Sequence, residues 1–597
     1  MRTIETDVLV IGAGPSGLMA SLLLARYGTR TYTIARHPTT APEPRATITN
    51  QRTAEILREV GLESTWHQIG MPLPAVGNSI IATSFSGKEL FRYRCYGNGA
   101  FETEYTAASP SVGFNAPQHL MERELLRTLR DTGSDVHFSQ ELVQVDQSES
   151  GVFALVRDCA TGEEYRVEAQ YAVGADGARS VVAQQVGIEF EGETALKYMT
   201  NLWIEADLEQ YVVHRPAAIY VIAQPGGSSW VGSGMALATR KWDEWVLSYE
   251  YDPARGEPDL SDEAVIAYAR RLTGVPDLDV AVKATSKWQV NQLVAKSYQS
   301  GRIFLVGDAA HRHSPSGGLG ANTSMQDSWN LAWKLAYVVS GRAGAGLLDS
   351  YDEERRPVGQ QVVDNAFKLM GYQMPMIEAL GLRPGQTTEE GWAALNELSA
   401  STAEGAARRA KLTEAMALQN YRSNALGVEL GHRYTSRAVV DDGTPFPEHV
   451  RDECLYYEPT THPGGYMPHA WLEHNGQPVS SIDVVGHGTY SVVVGLSGAA
   501  WESAASTVAA ELGLELPAYA IGSRAAYDDV YGDWARLREH DDSGVLLVRP
   551  DRVIAWRSLG IPADPVGALR AALREALALD DQRSVDRVVG QADAAIR

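Results

Sequence analysis

Cysteine is almost missing from the chain: Cys95, Cys159 and Cys454 are the three, far apart and odd in number. They build neither a disulfide framework nor a zinc-ligand spacing, and their scarcity fits a reducing compartment. Positive charge is also short. Lysine and arginine total 52 against 75 aspartates and glutamates, a formal net charge of −23. A field of that sign repels phosphate polyanions and anionic lipid, so neither nucleic-acid nor membrane-surface binding is expected. Long apolar runs are scarce as well. The uncharged stretch Val8–Ala25 is broken by Gly12, Gly14, Pro15 and Gly17, and Glu5 and Asp7 precede it where a secretion signal would be positive. A buried strand, turn and helix account for it better than a membrane span, and a cytoplasmic protein is expected. Internal repeats and low-complexity segments are lacking too.

Apolar residues make up 44% of 597, enough for several cores, and typical domain sizes suggest about four domains, or fewer if one is a large α/β unit. The run Asp7–Ile11 has the β-branched content of a central parallel strand, Leu18–Tyr27 is helix-forming with Gly28 as a stop, and Thr31–Ile34 makes a second strand. Thr53–Val60 and Leu120–Leu129 carry apolar residues at helical spacing, whereas Val152–Val156 and Tyr165–Val167 are strands of a meander. Residues 185–285 hold alternating runs such as Ala218–Ile222 and Trp245–Glu250, an antiparallel sheet inserted into the first unit. Gly301–Gly307 is again a buried strand, and Met325–Val339 is a helix with Trp329, Ala332, Trp333, Ala336 and Val339 down one face. Alanine-rich helical sequence fills 360–425. Ser491–Leu496, a helix over Trp501–Leu512, Val545–Val548, the Pro550-Asp551 turn, Val553–Trp556 and a helix over Pro565–Leu579 form a small αβ layer at the end. The boundaries expected are 1–184 and 286–425 for one discontinuous domain with a helical linker, 185–285 for the insert, and 426–597 for the last domain.

Three motifs carry chemistry. Gly12-x-Gly14-Pro15-Ser16-Gly17 follows a strand and opens a helix, the context in which such glycines admit a tight turn and close approach of a pyrophosphate. The acidic ribose partner expected at the end of the second strand is replaced by Ala35-Arg36, so Arg36 or backbone groups would serve there. Gly174-Ala-Asp176-Gly177 and Gly307-Asp308-Ala-Ala-His311 each end a strand, placing a carboxylate where sugar or ribityl hydroxyls can be held.

Taken in order, this set resembles the FAD-dependent aromatic hydroxylases, single-component flavoprotein monooxygenases built on the p-hydroxybenzoate hydroxylase fold. Pro44–Thr53, Asn115–Gln118, Ala310–Asn322, Trp288–Asn291 and Tyr351–Pro357 resemble its phenol and chlorophenol hydroxylase branch nearly end to end. The fold implied is α/β with an α+β insert: a Rossmann-like FAD-binding domain, an inserted antiparallel-sheet substrate domain, and a thioredoxin-like C-terminal domain. That last domain has no Cys-x-x-Cys pair and cannot exchange dithiols. By motif, Gly12, Gly14 and Gly17 would hold the FAD pyrophosphate, Arg45 and Gln118 its phosphate and ribityl region, and Asp308 the ribityl chain. Asp176 would support the FAD fold and nicotinamide use, while Pro315, Gly318, Leu319, Gly320, Ala321 and Asn322 would line the isoalloxazine. A second dinucleotide motif is not visible, in keeping with transient NAD(P)H binding on the same domain. The chemistry implied is reduction of FAD by NAD(P)H, reaction with O2 to a C4a-hydroperoxide, and oxygen transfer to an electron-rich phenolic or hydroxypyridine ring.

Substrate activation is the least determined step, because the acidic residue that can follow the arginine matching Arg45 is Thr47 here. His313 beside the flavin loop and Tyr220 on the inserted sheet are the candidate hydrogen-bonding partners for the ring oxygen, each weighed against a packed, satisfied side chain. His311-Arg-His313 has no third acidic or cysteine ligand close by, so no metal is expected. Asn322-Thr-Ser324 matches a glycosylation sequon by chance. Other readings are a flavin halogenase or reductase, although the halogenase Trp-x-Trp-x-Ile-Pro signature is absent, and a non-catalytic flavin redox sensor or scaffold. A homo-oligomer is the expected assembly.

Overall fold

The computed structural model describes residues 2–226, 234–383 and 385–580. It is a mixed α/β structure with several sheets. The first sheet has strand order Gln299–Ser300, Ile303–Leu305, Glu164–Gly174, Thr3–Ile11, Thr31–Ala35, Val136–Phe138. Its four central pairings are parallel. Val8, Leu9 and Val10 are fully buried between helices Pro15–Arg26 and Gly320–Val339 and the meander of Gln140–Ser148 and Gly151–Asp158. Burial on both faces is why these strands are apolar throughout instead of alternating. The meander pairs antiparallel onto Glu164–Gly174 and continues the sheet away from the turn that follows Ile11.

A second sheet, mostly antiparallel, has the order His311–Arg312, Ala281–Ala295, Phe190–Glu205, Glu244–Tyr251, Gly234–Arg240, Ile219–Ile222, Asn78–Ala82, Glu89–Arg94. It extends beyond residues 185–285 at both ends. Asn78–Ala82 pairs in parallel with Ile219–Ile222, and His311–Arg312 adds to the end of Ala281–Ala295. A hairpin far upstream thus completes the sheet, because strand pairing follows complementary edges and not chain proximity. Its covered face packs Ile80, Phe85, Leu202, Tyr220, Trp245 and Leu272 into a second core, the last from helix Asp262–Thr273.

The third sheet, from Trp471 to Ser558, runs Gln477–Ser480, Trp471–His474, Tyr527–Asp528, Ala518–Gly522, Ser491–Val494, Val545–Val548, Ile554–Ser558. Helices Ala499–Leu512 and Pro565–Ala576 cover one face, and Trp333 and Tyr337 of the long helix Gly320–Val339 join that same core. The C-terminal unit is therefore seated on the helix that begins at the Gly317–Gly318 loop.

Candidate functional site

The turn after Thr3–Ile11 tolerates no side chain at Gly12. Its φ is +113°, and a Cβ there would lie 2.1 Å from the Ala175 carbonyl oxygen of the adjoining strand tip. Gly14 contrasts with it: nothing among the described residues lies within 4 Å of a Cβ built there. The first glycine is demanded by packing, whereas the second leaves open room. Helix Pro15–Arg26 starts at that point with proline in its first turn and no side-chain cap, so its leading N–H groups are left for an anion.

Two more strand tips stand beside this turn. Ala175 N donates to Ile11 O at 2.8 Å and Val306 N to Gly174 O at 3.0 Å. A Cβ on Gly307 would come within 3.0 Å of Ser16 Oγ. The structure thus brings Gly12–Gly17, Gly174–Asp176 and Gly307–Asp308 side by side at one edge. The two carboxylates there differ. Asp176 accepts from Val181 N at 2.7 Å and Val182 N at 3.1 Å, capping the following turn, while burial still raises its pKa. Asp308 receives no hydrogen bond on its carboxylate among the described residues. It opens to solvent inside a crevice deep enough that desolvation raises its pKa, against the lowering fields of His311, Arg312 and Arg45.

Cations gather around it, in a protein short of them. Arg45 is exposed and engaged in no hydrogen bond or ion pair among the described residues. Desolvation and then Arg36, Arg45 and Arg179 lower the pKa of His37. Arg312 lies over the Phe190 ring at 4.3 Å. Gln118 is committed elsewhere: its Nε2 donates to Glu122 Oε1 at 2.7 Å, and Glu122 in turn accepts from Ala41 N at 2.6 Å. Gln118 therefore fixes the Pro44–Ala46 segment that carries Arg45, with its backbone N–H donating to Ala46 O at 2.8 Å.

The loop before helix Gly320–Val339 is tied to the small sheet of Ile48–Thr49, Phe114–Asn115 and Met71–Pro72. Asn322 Nδ2 donates to Ile48 O at 2.9 Å and Gly318 O at 2.7 Å, while its Oδ1 accepts from Asn50 N at 2.9 Å. Gly318 N closes the turn on Pro315 O at 3.0 Å. Leu319 is buried, whereas Gly320 and Ala321 are half-buried at the helix start, which has no side-chain cap. His313 sits under this loop, 3.6 Å from a Cβ position on Gly320. Its Nδ1 meets Ser314 O at 2.6 Å, its Nε2 has no partner among the described residues, and desolvation lowers its pKa to about 4, so the ring is neutral near pH 7. Tyr220 is placed apart from these groups. It is buried against Phe85 and Trp245, and its hydroxyl donates to Arg215 O at 2.8 Å.

A small cavity opens between the Gly317–Gly318 loop and Ile48, Asn50, Gln51, Leu73, Tyr96, Tyr105, Gly113 and Glu429. It includes neither His313 nor Tyr220. Asp327 and Glu429 were not singled out by sequence reasoning. Asp327 is fully buried in the long helix, accepting from Gly307 N at 3.1 Å, meeting His311 Nε2 at 2.9 Å and accepting from Arg355 Nε at 2.8 Å. Desolvation would raise its pKa, but Arg355 and His311 outweigh burial and hold it low. It is the post that fixes the Gly307–His311 turn. The available signal was that Asp327 is the single acidic residue of a helix of twenty residues.

Residues 5–366 match the FAD binding domain family, and residues 460–578 match the aromatic-ring hydroxylase C-terminal family. The chain belongs to the FAD-dependent aromatic-ring hydroxylases. It is 41% identical over 578 residues to 2,4-dichlorophenol 6-monooxygenase of Delftia acidovorans, covering 96% of this chain and 99% of that one. It is 38% identical over 572 residues to phenol 2-monooxygenase of Pseudomonas sp. (strain EST1001), covering 95% and 92%. Among solved structures, the flavin-dependent monooxygenase PieE in complex with FAD and substrate matches with a TM-score of 0.93 at 41% identity, over 97% of this chain and 100% of that one. The chain is an FAD-dependent aromatic monooxygenase, and use of NAD(P)H and O2 is typical of its family. The residues fit the cofactor: an open glycine cradle, uncapped helix starts, unpaired arginine and an unpartnered carboxylate suit a pyrophosphate joined to a polyol. Among the described residues no helix is long and apolar enough to cross a membrane.

Proposed function

We propose that this enzyme hydroxylates a compact phenolic or hydroxy-heteroaromatic compound seated in the cavity beside the Gly317–Gly318 loop. The observation that carries the reading is that cavity's position, one loop away from the edge where three strand tips converge. Relatives named for 2,4-dichlorophenol and phenol support the substrate class.

In this reading Gly12, Gly14, Pro15, Ser16 and Gly17 cradle the pyrophosphate, with Arg36 and Arg45 supplying positive charge. Asp308 takes the ribityl hydroxyls, Asp176 braces the adjoining turn, and Gln118 orients the Arg45 segment. Pro315 and Gly318–Asn322 wall the ring system. When bound, FAD supplies electron transfer from NAD(P)H and activation of O2. The chain's own work is to orient the aromatic ring, exclude water and manage its hydroxyl proton. His313, neutral with a free Nε2, is better placed to hydrogen-bond a ligand at the flavin loop than Tyr220, whose hydroxyl is spent on a carbonyl. Rossmann-like and thioredoxin-like describe the first and last domains in our reading, and a cytoplasmic homo-oligomer with no nucleic-acid or membrane partner completes it.

The test is to purify the yellow protein and screen phenols and hydroxypyridines for stimulated NAD(P)H consumption, with product masses. A gain of one oxygen is expected; halogen incorporation, reduction without oxygen gain, or no stimulation by any aromatic would overturn it. In parallel, Asp308→Ala should weaken FAD binding about 10- to 100-fold by removing a charged acceptor, and unchanged flavin content would remove Asp308 from the site.

A further inference from the structure

Glu429 is the one cavity-lining carboxyl, and its surroundings are unusual. It lies in the short helix Leu426–Leu430, is 8% exposed, and is flanked by fully or nearly buried Leu426, Val428 and Leu430. No hydrogen bond or ion pair reaches its carboxylate among the described residues, and desolvation alone raises its pKa to about 8. A buried carboxyl without a partner costs stability unless a ligand completes it. Other walls of the cavity share this condition. The Tyr105 hydroxyl, Asn50 Nδ2 and Gln51 Oε1 are buried polar atoms with no partner among the described residues, and Asn50 and Gln51 are each only 4% exposed. Unspent polar atoms around apolar Ile48 and Leu73 describe a seat for a ring bearing a polar substituent. The position that could carry an acid near the flavin, Thr47, is adjacent to Ile48 in this wall. A carboxyl is supplied to the same cavity from a segment nearly four hundred residues away, as the numbering of Thr47 and Glu429 shows.

We propose that the Glu429 carboxylate accepts the proton of the substrate's ring hydroxyl. This rests on the cavity being the aromatic seat. The substrate O–H bond breaks, its electron pair stays on the ring oxygen, and the proton bonds to a Glu429 oxygen. It returns to that ring oxygen when product forms, so no external reagent enters the step. A ring carrying the freed pair is the stronger nucleophile toward an electrophilic oxygen. The titratable groups facing Glu429 are Tyr96 and Tyr105; behind them lie Cys95, whose thiol burial pushes up to about 12, and Arg422, whose field reaches Tyr96. Burial raises Tyr96, Tyr105 and Cys95, so none of these three changes charge between pH 6 and 9.

The experiment compares FAD-loaded wild type, Glu429→Gln and Glu429→Asp on the best phenolic substrate from pH 6 to 9. Wild-type kcat/KM is expected to rise through a limb near pH 8, the limb to vanish in Glu429→Gln with kcat/KM down about 100-fold, and Glu429→Asp to restore the limb in part. A Glu429→Gln enzyme that keeps the limb and stays within about twofold of wild type overturns the proposal, while wild-type turnover leaves the hydroxylase reading standing. If Glu429→Gln does not retain FAD, wild type alone decides. Its affinity for the phenol should change with pH through the same limb while affinity for the methyl ether of that phenol stays flat. Parallel profiles for the two ligands overturn the proposal. Absence of hydroxylation by wild type on any aromatic would instead sink the underlying reading.

Discussion

Two clusters of charge in this molecule are built on opposite terms. Between the long helix Gly320–Val339, helix Asp349–Gly371 and the turn after Val545–Val548, Glu354 is met by Lys334 at 2.9 Å and Arg549 at 2.6 Å, and Arg549 also holds Asp551 at 2.6 Å, all at most 1% exposed. Asn330 and Ser436 add hydrogen bonds of 2.6 Å each to Glu354. Burial works against Glu354, yet Arg549 and Lys334 overcome it and depress its pKa, while desolvation brings Lys334 down to about 8. At the edge where the three strand tips meet and in the adjoining cavity, Arg45, Asp308 and Glu429 have no such partners among the described residues. The sealed cluster is complete and locks the C-terminal unit to the helix; the open one is left unpartnered by the described residues, and in the function proposed above a ligand supplies its partners. Unsatisfied groups at a functional edge are tolerated because the rest of the fold outweighs their cost.

The comparison breaks most severely at the sealed cluster. Arg549→Ala should destabilise the folded protein by about 3–5 kcal/mol by leaving Glu354 and Asp551 buried without their guanidinium, measured by denaturant unfolding; a loss below about 1 kcal/mol would show the network is not sealed. Next come the two glycines. Gly12→Ala should cost about 3 kcal/mol or more, since it forces a positive φ and a backbone clash. Gly14→Ala should leave apoprotein stability within about 0.5 kcal/mol and weaken FAD at least about tenfold, equal to about 1.4 kcal/mol. Equal effects of both on apoprotein stability would erase the distinction between packing glycine and ligand glycine.

A smaller effect sharpens the open side. The folded pKa of Glu429 is raised from 4.5 to about 8, so its contribution is intact below the unfolded value and is lost as pH rises through about 8. Apoprotein Tm should therefore fall between pH 5 and 8.5, and Glu429→Gln should fall less, by a few degrees in a scan series. Identical slopes would mean the carboxyl is not held neutral. Smallest is Tyr220→Phe, expected to cost about 1 kcal/mol by orphaning the Arg215 carbonyl, with KM unchanged; a selective rise in KM would return Tyr220 to the substrate site.

Much of the architecture was legible locally. The Asp7–Ile11 run, the glycine turn, helix Pro15–Arg26 and strand Thr31–Ala35 follow from residues within thirty positions of one another, because strand burial, glycine at tight turns and helix stops are short-range. The hairpin of Val545–Val548 and Ile554–Ser558 was legible for the same reason. The place of Asn78–Ala82 beside Ile219–Ile222 was not, since either strand's pattern suits many partners. Asp308 stood out by its motif, but Asp327 sits in a polar stretch of the long helix and Glu429 in the apolar run Leu426–Leu430, and neither stretch shows which partners its carboxyl meets. The packing of Tyr220 was not legible for the same reason: alternation puts it on the sheet's inner face without saying whether that face meets a cavity or the core it joins.

Taken alone, the residues determined the strand-turn-helix that begins the chain, the turns that end two further strands, and the family chemistry those turns carry. Only the tertiary structure decided that these turns lie abreast and that Arg355 and His311 converge on Asp327. It also decided that a carboxyl from residue 429 shares a cavity with residues 48–51. Turn geometry is set by a few consecutive dihedrals and is written in the local sequence. Which charges meet, and which are left waiting, depends on how distant surfaces exclude water from one another, and that exists only once they have packed.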